Sequence, residues 1–306
     1  MKLIPDNMDF VEYMKETEMA RIRSASEFED EVVALFFPPA DAPIHPFPMW
    51  KKAEGKIAFR PSEVSLWAGV NGHGKSNLLS QVVLDLMKQN QKVLIISLEM
   101  TPAAQMQRMC RQAIADEHPS IEKISQFHKV TDGQLWMYDQ HGQIEWQKAL
   151  AVCRYAQEKL GITHFIIDSM MKCIKGEDDY NGQKDFINEI CSFAMARSVH
   201  VHIVHHVRKG ETSKELIPGK FDIKGSGGIA DQVDNIFIVW RNKAAEAEIA
   251  KGDKGKYDGS PTAVLKCDKS RHGGWEGSIG LWFHPSTGQY LDSVDGFPMR
   301  YQFKGK

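Results

Sequence analysis

Residues 63–90 read EVSLWAGVNGHGKSNLLSQVVLDLMKQN: a short apolar run, a glycine-rich turn and an amphipathic segment, in that order. The run EVSLWAG suits a buried strand, and the segment from Ser76 onward repeats leucine and valine at helical spacing. Between them GVNGHGKS, Gly69 to Ser76, satisfies G-x-x-x-x-G-K-[ST], a loop that cradles phosphate groups. Gly69, Gly72 and Gly74 let backbone N–H groups turn toward one point, and the helix N-terminus adds partial positive charge. Lys75 then bridges the outer phosphates of ATP and Ser76 ligates Mg²⁺; Asn71, His73 and Asn77 belong to the same cofactor-binding block. A chance glycine-rich turn is the competing reading, and the strand before and helix after argue against it.

Outward from this block, short apolar runs alternate with amphipathic segments. The expected strands are 63–69, 92–99, 163–169, 199–206, 235–241 and 263–269, with a closing one at 278–284. Helical patterns cover 76–90, 102–117, 147–161 and 184–198. This alternation predicts an α/β fold with a mostly parallel central sheet flanked by helices. Ahead of it, residues 8–36 read as a helical leader, and FFPPADAPIHPFP cannot continue a helix, so it reads as an extended linker. The chain therefore divides into a leader and linker at 1–55 and an ATPase domain at 56–306.

Composition narrows the classes. With 38 basic and 40 acidic residues, the net charge of -2 gives no global sign of nucleic-acid binding, so phosphate contacts must come from local clusters. The five scattered cysteines contain no CxxC pair and suggest reduced thiols. No apolar run is long enough for a membrane span and the N-terminus is too acidic for a signal peptide, which predicts a cytoplasmic protein with no membrane partner.

Two carboxylates join the phosphate loop. Asp168 ends the apolar strand THFIID, which delivers it to the sheet edge beside the phosphates, the pattern of a Walker B strand holding Mg²⁺. Glu99 in ISLEM ends the strand after the loop's helix and can orient and deprotonate the attacking water. An ordinary strand-end acid is the plainer alternative for each.

Six blocks in order resemble the hexameric replicative DNA helicases of the DnaB, Twinkle and T-odd phage type, over about residues 56–291. They are FRPSEVSLWAGVNGHGKS, ISLEMTPAAQMQRM, THFIIDS, VHIVHHVRK, DIKGSGGIADQVDNIFIVWRNK and LKCDKSRHGG. The resemblance implies a RecA-like core, ATP hydrolysis with Mg²⁺, single-stranded DNA as partner and self-association into a hexamer. A primase, loader or polymerase are the further partner classes it brings. It aligns a γ-phosphate sensor with His206, or with His205 one residue earlier. It aligns Lys269 and Arg271 with the K-x-R pair that reaches the neighbouring subunit's ATP. That pair matters because the chain lacks an obvious arginine acting on its own site, and a plain basic loop is the alternative.

The resemblance also places DNA contacts on Arg208, Lys209, Lys224, Gly225, Ser226 and Gly227, a glycine-rich basic segment with few aromatics, suited to following a backbone with little base readout. Arg241 aligns with a residue that packs on adenine, and Phe283 supplies the opposing ring; Trp240 and Phe283 read equally well as core. A metal site among His200, His202, His205 and His206 lacks a completing acid or cysteine. Only about 55 residues precede the core, so the resemblance implies a version without the N-terminal primase or collar domain, its leader helix docking on the adjacent subunit. A RecA- or KaiC-like ATPase that assembles without unwinding, and an inactive nucleotide-binding scaffold, are the rival readings.

Overall fold

The computed structural model describes residues 24–37, 39, 44–176, 178–208, 216–225, 227–251 and 256–303. Its strands are β1 (Val64–Ala68), β2 (Val93–Ser97), β3 (Leu135–Met137), β4 (His164–Asp168), β5 (His200–Val204), β6 (Asn235–Arg241), β7 (Ala263–Ser270), β8 (Gly277–His284) and β9 (Gln289–Leu291). They form one sheet in the order β3-β2-β4-β5-β1-β6-β7-β8-β9. The first six in that order run parallel, and β7 to β9 extend the sheet antiparallel. The helices are α1 (Glu29–Phe36), α2 (Lys75–Lys88), α3 (Pro102–Ile114), α4 (Ile121–Thr131), α5 (Trp146–Leu160), α6 (Tyr180–Arg197), α7 (Gly228–Gln232) and α8 (Lys243–Ala250).

Several helices begin where the sequence supplies a cap. Thr101 accepts from Ala104 N ahead of α3, with Pro102 in the first turn, where its missing N–H costs nothing. Ser120, Asp179 and Asn242 cap α4, α6 and α8 in the same way.

Both faces of the sheet are covered. Along β1, Val64, Leu66 and Ala68 join the core under α5 and α6, while Trp67 enters the core under α2 and α3. That alternation is the period of two expected of a strand buried on both sides. Each such side chain, fully withdrawn from water, stabilises the fold by roughly 1.5–3 kcal/mol.

The proline-bearing stretch is seated on the core from about residue 46. Pro46, Pro48 and Trp50 are buried in alternation with more exposed neighbours. Gln89 at the C-cap of α2 exchanges two hydrogen bonds with the Phe47 backbone, and Met49 N donates to Asp85 Oδ2 at 2.9 Å. From the other end of the chain Tyr301 Oη donates to Asp85 Oδ1 at 2.6 Å. Asp85 thus ties the strap, the phosphate-loop helix and the C-terminal segment together, and its burial raises its carboxyl to about 7. Of the expected leader, residues 8–23 lie outside the described residues, and α1 carries the remainder.

On the α2/α3 face the odd member of the core is a histidine group. His200 Nε2 meets Ser65 Oγ at 2.8 Å, Trp67 Nε1 donates to His202 Nδ1 at 3.2 Å, and His202 Nε2 meets His164 Nδ1 at 3.2 Å. Phe59 packs edge-on against His200 and His202. These rings are satisfied by protein partners, and no metal-holding group of His, Cys, Asp and Glu exists among the described residues.

Burial lowers all three imidazoles, His200 to about 4. An imidazole lowered on folding binds fewer protons folded than unfolded. Its stability contribution is therefore complete above the unfolded value of about 6.5 and drains as the pH falls toward the folded one. Thermal melting from pH 7 to 4 should show Tm falling across this window, with a shallower fall in His200→Gln; a Tm that is flat there would contradict the assignment.

Candidate active site

The phosphate loop leaves the C-terminal end of β1 and enters α2 at Lys75. Two glycines are fixed by contact. A Cβ on Gly69 would lie 2.3 Å from Val239 O on β6, and one on Gly74, at φ +81°, would lie 2.2 Å from Tyr290 Oη. Gly72 also has positive φ, +77°. Lys75 Nζ is curled onto its own loop, donating to Gly69 O at 2.9 Å and Val70 O at 3.2 Å. Burial lowers its ammonium to about 8, against the opposing pull of Asp168 and Glu99.

Strand register brings the carboxylates alongside. Ser97 on β2 pairs with Asp168 on β4, and Glu99 follows two residues later. Asp168 is buried, and burial raises its carboxyl although it accepts a hydrogen bond from the Ser76 hydroxyl. Glu99 is perturbed the other way, lowered to about 2, chiefly by His206 and then by the Ser169 hydroxyl against the cost of burial. Ser169 Oγ donates to Glu99 Oε1 at 2.9 Å, whereas His206 Nε2 stands 3.9 Å away, an attraction at longer than hydrogen-bonding range.

Lys75, Ser76, Glu99, Asp168 and His206 line one cavity of about 600 Å³, together with Asn71, Gly72, Gly74, Asn77, Arg241 and Phe283. Gly69 and His73 lie behind its wall: His73 Nδ1 accepts from Arg241 N at 3.1 Å and so braces the loop against β6. Asn77 donates to Gly288 O at 2.7 Å. Of the two adjacent histidines, His206 faces the cavity, while His205 is buried with Nε2 2.6 Å from Lys224 O.

Two residues that sequence reasoning missed also line it, Arg108 and Arg111 on α3. The sequence offered no obvious arginine acting on the phosphates of the chain's own site, and these two stand at its cavity. Their i, i+3 spacing puts both on one helix face, a spacing that the sequence leaves indistinguishable from solvated surface. Buried Arg108 Nη1 and Arg111 Nε have no hydrogen-bond partner. Guanidinium groups stay charged, so a pair of them at the wall favours the approach of an anion.

The pair expected at the base stands in mutual contact. Arg241 stacks directly on Phe283, its guanidinium carbon 3.7 Å from the ring centroid, and its Nε is held by Glu246. Trp240 is buried, a core residue.

Comparison with known proteins now bears on the cavity. The model of the DnaB-like helicase C terminal domain matches residues 54–292. The chain belongs to that family. It is 24% identical over 274 residues to the Twinkle homolog protein, chloroplastic/mitochondrial, of Arabidopsis thaliana, covering 82% of this chain. The chain spans 37% of that relative's length. A solved structure of an ATPase domain superposes with TM-score 0.70 at 15% identity, covering 87% of this chain and 98% of that one. A DnaB-like replicative helicase studied for its interactions with primase gives 0.69 at 16% identity, covering 89% and 67%. At these identities the structural likeness is one of RecA-like ATPase fold.

The remaining residues singled out by the DnaB-type resemblance lie elsewhere. Asn235 at the start of β6 pairs with Ser270, and Arg241 at its end with Ala263. Lys269 and Arg271 therefore sit at the edge opposite the phosphate loop, roughly 20 Å along a seven-residue strand. There Lys269 Nζ donates to Ala230 O and Asp231 O at 2.8 and 2.9 Å, and Arg271 to Asp231 O and Asp234 Oδ1 at 2.9 and 3.0 Å. The pair thus caps the last carbonyls of α7. Arg208 and Gly227 line a concavity with this pair, Lys224 N donates to His206 O at 3.0 Å, and Lys209 and Ser226 lie outside the described residues. Gly225, at φ +95°, abuts Gln183 of α6.

Arg108→Ala should weaken ATP binding about tenfold to a hundredfold, the loss of one or two charge-assisted hydrogen bonds, without lowering Tm. Calorimetric titration beside a melting curve checks this; unchanged affinity would remove Arg108 from the site.

Proposed function

We propose that this chain is the motor of a ring-shaped replicative DNA helicase: it hydrolyses ATP, translocates on single-stranded DNA and separates duplex. What carries the reading is the gathering of Lys75, Ser76, Glu99, Asp168 and His206 around one cavity at one sheet edge.

The residues divide the work as follows. Lys75 leaves the Gly69 and Val70 carbonyls for the outer phosphates, where its charge is worth more for being buried. Ser76 and Asp168 present hard oxygen donors side by side, a set that suits Mg²⁺. Bound there, Mg²⁺ supplies charge neutralisation on the phosphate oxygens. Glu99 orients the attacking water. Held near 2 it is a poor proton acceptor, and when His206 turns toward the terminal phosphate the main cause of that depression is gone, leaving Glu99 the better base. Arg108 and Arg111 hold phosphate oxygens from the α3 side, and the Arg241–Phe283 stack meets the base. Lys269 and Arg271, at the far edge, reach the nucleotide of a neighbouring subunit, so turnover requires assembly, here proposed as a hexamer.

Arg208, Lys209, Lys224, Gly225, Ser226 and Gly227 follow the strand's phosphates. Val32, Val33, Leu35 and Phe36 are exposed on α1, which supports segment 1–55 as a subunit-docking element beside an ATPase domain at 56–306. A primase, loader or polymerase completes the proposed partners. No helix among the described residues is long and apolar enough to cross a membrane, and the proposed compartment is the cytoplasm of a bacterial or phage-infected cell.

Glu99→Gln should keep ATP binding and reduce turnover by roughly 10²- to 10⁴-fold, the range for a lost general base; surviving turnover would reassign the base. Arg271→Ala mixed into wild-type rings should depress DNA-stimulated hydrolysis out of proportion to its fraction. Simple dilution of activity would place no arginine across the interface, and DNA-independent turnover by a monomer would remove the motor reading altogether.

A further inference from the structure

We propose that Phe221 is a stacking platform for one nucleobase of the single strand, a contact distinct from the backbone contacts proposed above and resting on that DNA reading. Phe221 is 88% exposed at the tip of a 3-10 turn, Lys220–Asp222. A lone exposed aromatic is ordinary on a protein surface. This one differs in how firmly it is held and in what surrounds it.

The turn is fastened on every side. Gly219 N donates to Asp222 Oδ2 and Arg208 N to Asp222 O, both at 2.7 Å. Lys220 N donates to Asp268 Oδ2. Val207 bridges Ile223, and Lys224 N donates to His206 O at 3.0 Å. An outward ring on a pinned turn loses little freedom when a ligand covers it, which favours binding.

The surroundings specify the ligand. Phe221 shares a concavity of about 430 Å³ with Arg208 and Lys220, and at its far side Lys269 and Arg271 stand with the acids Asp231 and Glu276. Lys220 Nζ stands 5.8 Å from the ring centroid. An aromatic face beside Arg208 and Lys220 matches a base attached to a phosphodiester chain: the ring takes the base's π-face and these two cations its flanking phosphates. Stacking is indifferent to base identity, so the contact adds affinity without sequence readout. An apolar surface of a second copy would satisfy the ring and offer no phosphate to Arg208 and Lys220.

The test is equilibrium binding of the full chain, with a non-hydrolysable ATP analogue, to fluorescent oligo-dT and to an abasic strand of equal length. Phe221→Ala should lose about tenfold affinity for oligo-dT, the weight of one stacked base, with little loss on the abasic strand. Phe221→Trp should retain wild-type affinity, whereas Phe221→Leu should lose as Ala does. Lys220→Ala should weaken both strands alike and flatten the salt dependence. Equal losses on the two strands, no loss on either, rescue by Leu, or a loss of assembly mass in place of affinity would each overturn the proposal. Failure of the wild-type chain to bind either strand would instead remove the DNA reading beneath it.

Discussion

The register between β2 and β4 is the constraint on which the nucleotide site depends. Leu94 pairs with Phe165, Ile95 with Ile166 and Ile96 with Ile167, and each pair belongs to one core. A slip of one residue would set every side chain of one strand against the wrong face, exchanging the α5/α6 core for the α2/α3 core. The apolar ladder therefore fixes, as a by-product, that Asp168 lies level with Ser97 and that Glu99 emerges just beyond it. Burial on both faces is what makes carboxylate placement so firm: the energy that holds the register comes from the hydrophobic core, and the polar site inherits it. The phosphate loop is locked to the same frame through Gly69, whose bare Cα lies against the Val239 carbonyl.

Within that frame the charges are arranged with partners weaker than those ATP would offer. Lys75 rests on two backbone carbonyls, and Arg108 and Arg111 each keep a buried nitrogen unanswered. The two carboxylates are pushed apart, Asp168 raised by burial and Glu99 lowered by His206. Two acids at one edge with opposite perturbations are fitted to different tasks. A phosphate chain entering the cavity would meet three cations whose burial costs are already covered by folding, which is how preorganisation favours binding.

Much of this was legible in the sequence because the parallel strands announce themselves as short apolar runs. All seven expected strands and four expected helices occur, within a few residues at their ends. The strands that escaped, β3 and β9, have three residues each, too few for periodicity to register. Helix α4 escaped because its apolar residues Ile121, Ile124 and Phe127 are diluted by charge, although Ser120 marks its start. The seating of Pro46, Pro48 and Trp50 was hidden for another reason. Prolines announce extended backbone and say nothing about what that backbone leans on. In the site, the loop and strand-end acids were readable as motifs, but Arg108 and Arg111 were not, since an arginine on an amphipathic helix looks like solvated surface until the sheet shows which way it points.

The loop between β5 and β6 has two ends, and they lie at the two places where the proposed reading puts nucleotides. At its start His206 lines the chain's own cavity while its carbonyl holds Lys224. At its finish Lys269 and Arg271 cap α7. Five residues make too short a helix to persist alone, so α7 depends on Ile229, buried in the core, and on that cap. Under the trans reading the same two side chains must leave those carbonyls to reach a neighbour's phosphates. They cannot serve both, because each cation has one position at a time. Under that reading, engagement with the neighbour would loosen α7, while loss of the terminal phosphate would act on the other end through His206. The segment proposed to face DNA would then respond to both nucleotides through hydrogen bonds already present, with no need for a separate relay.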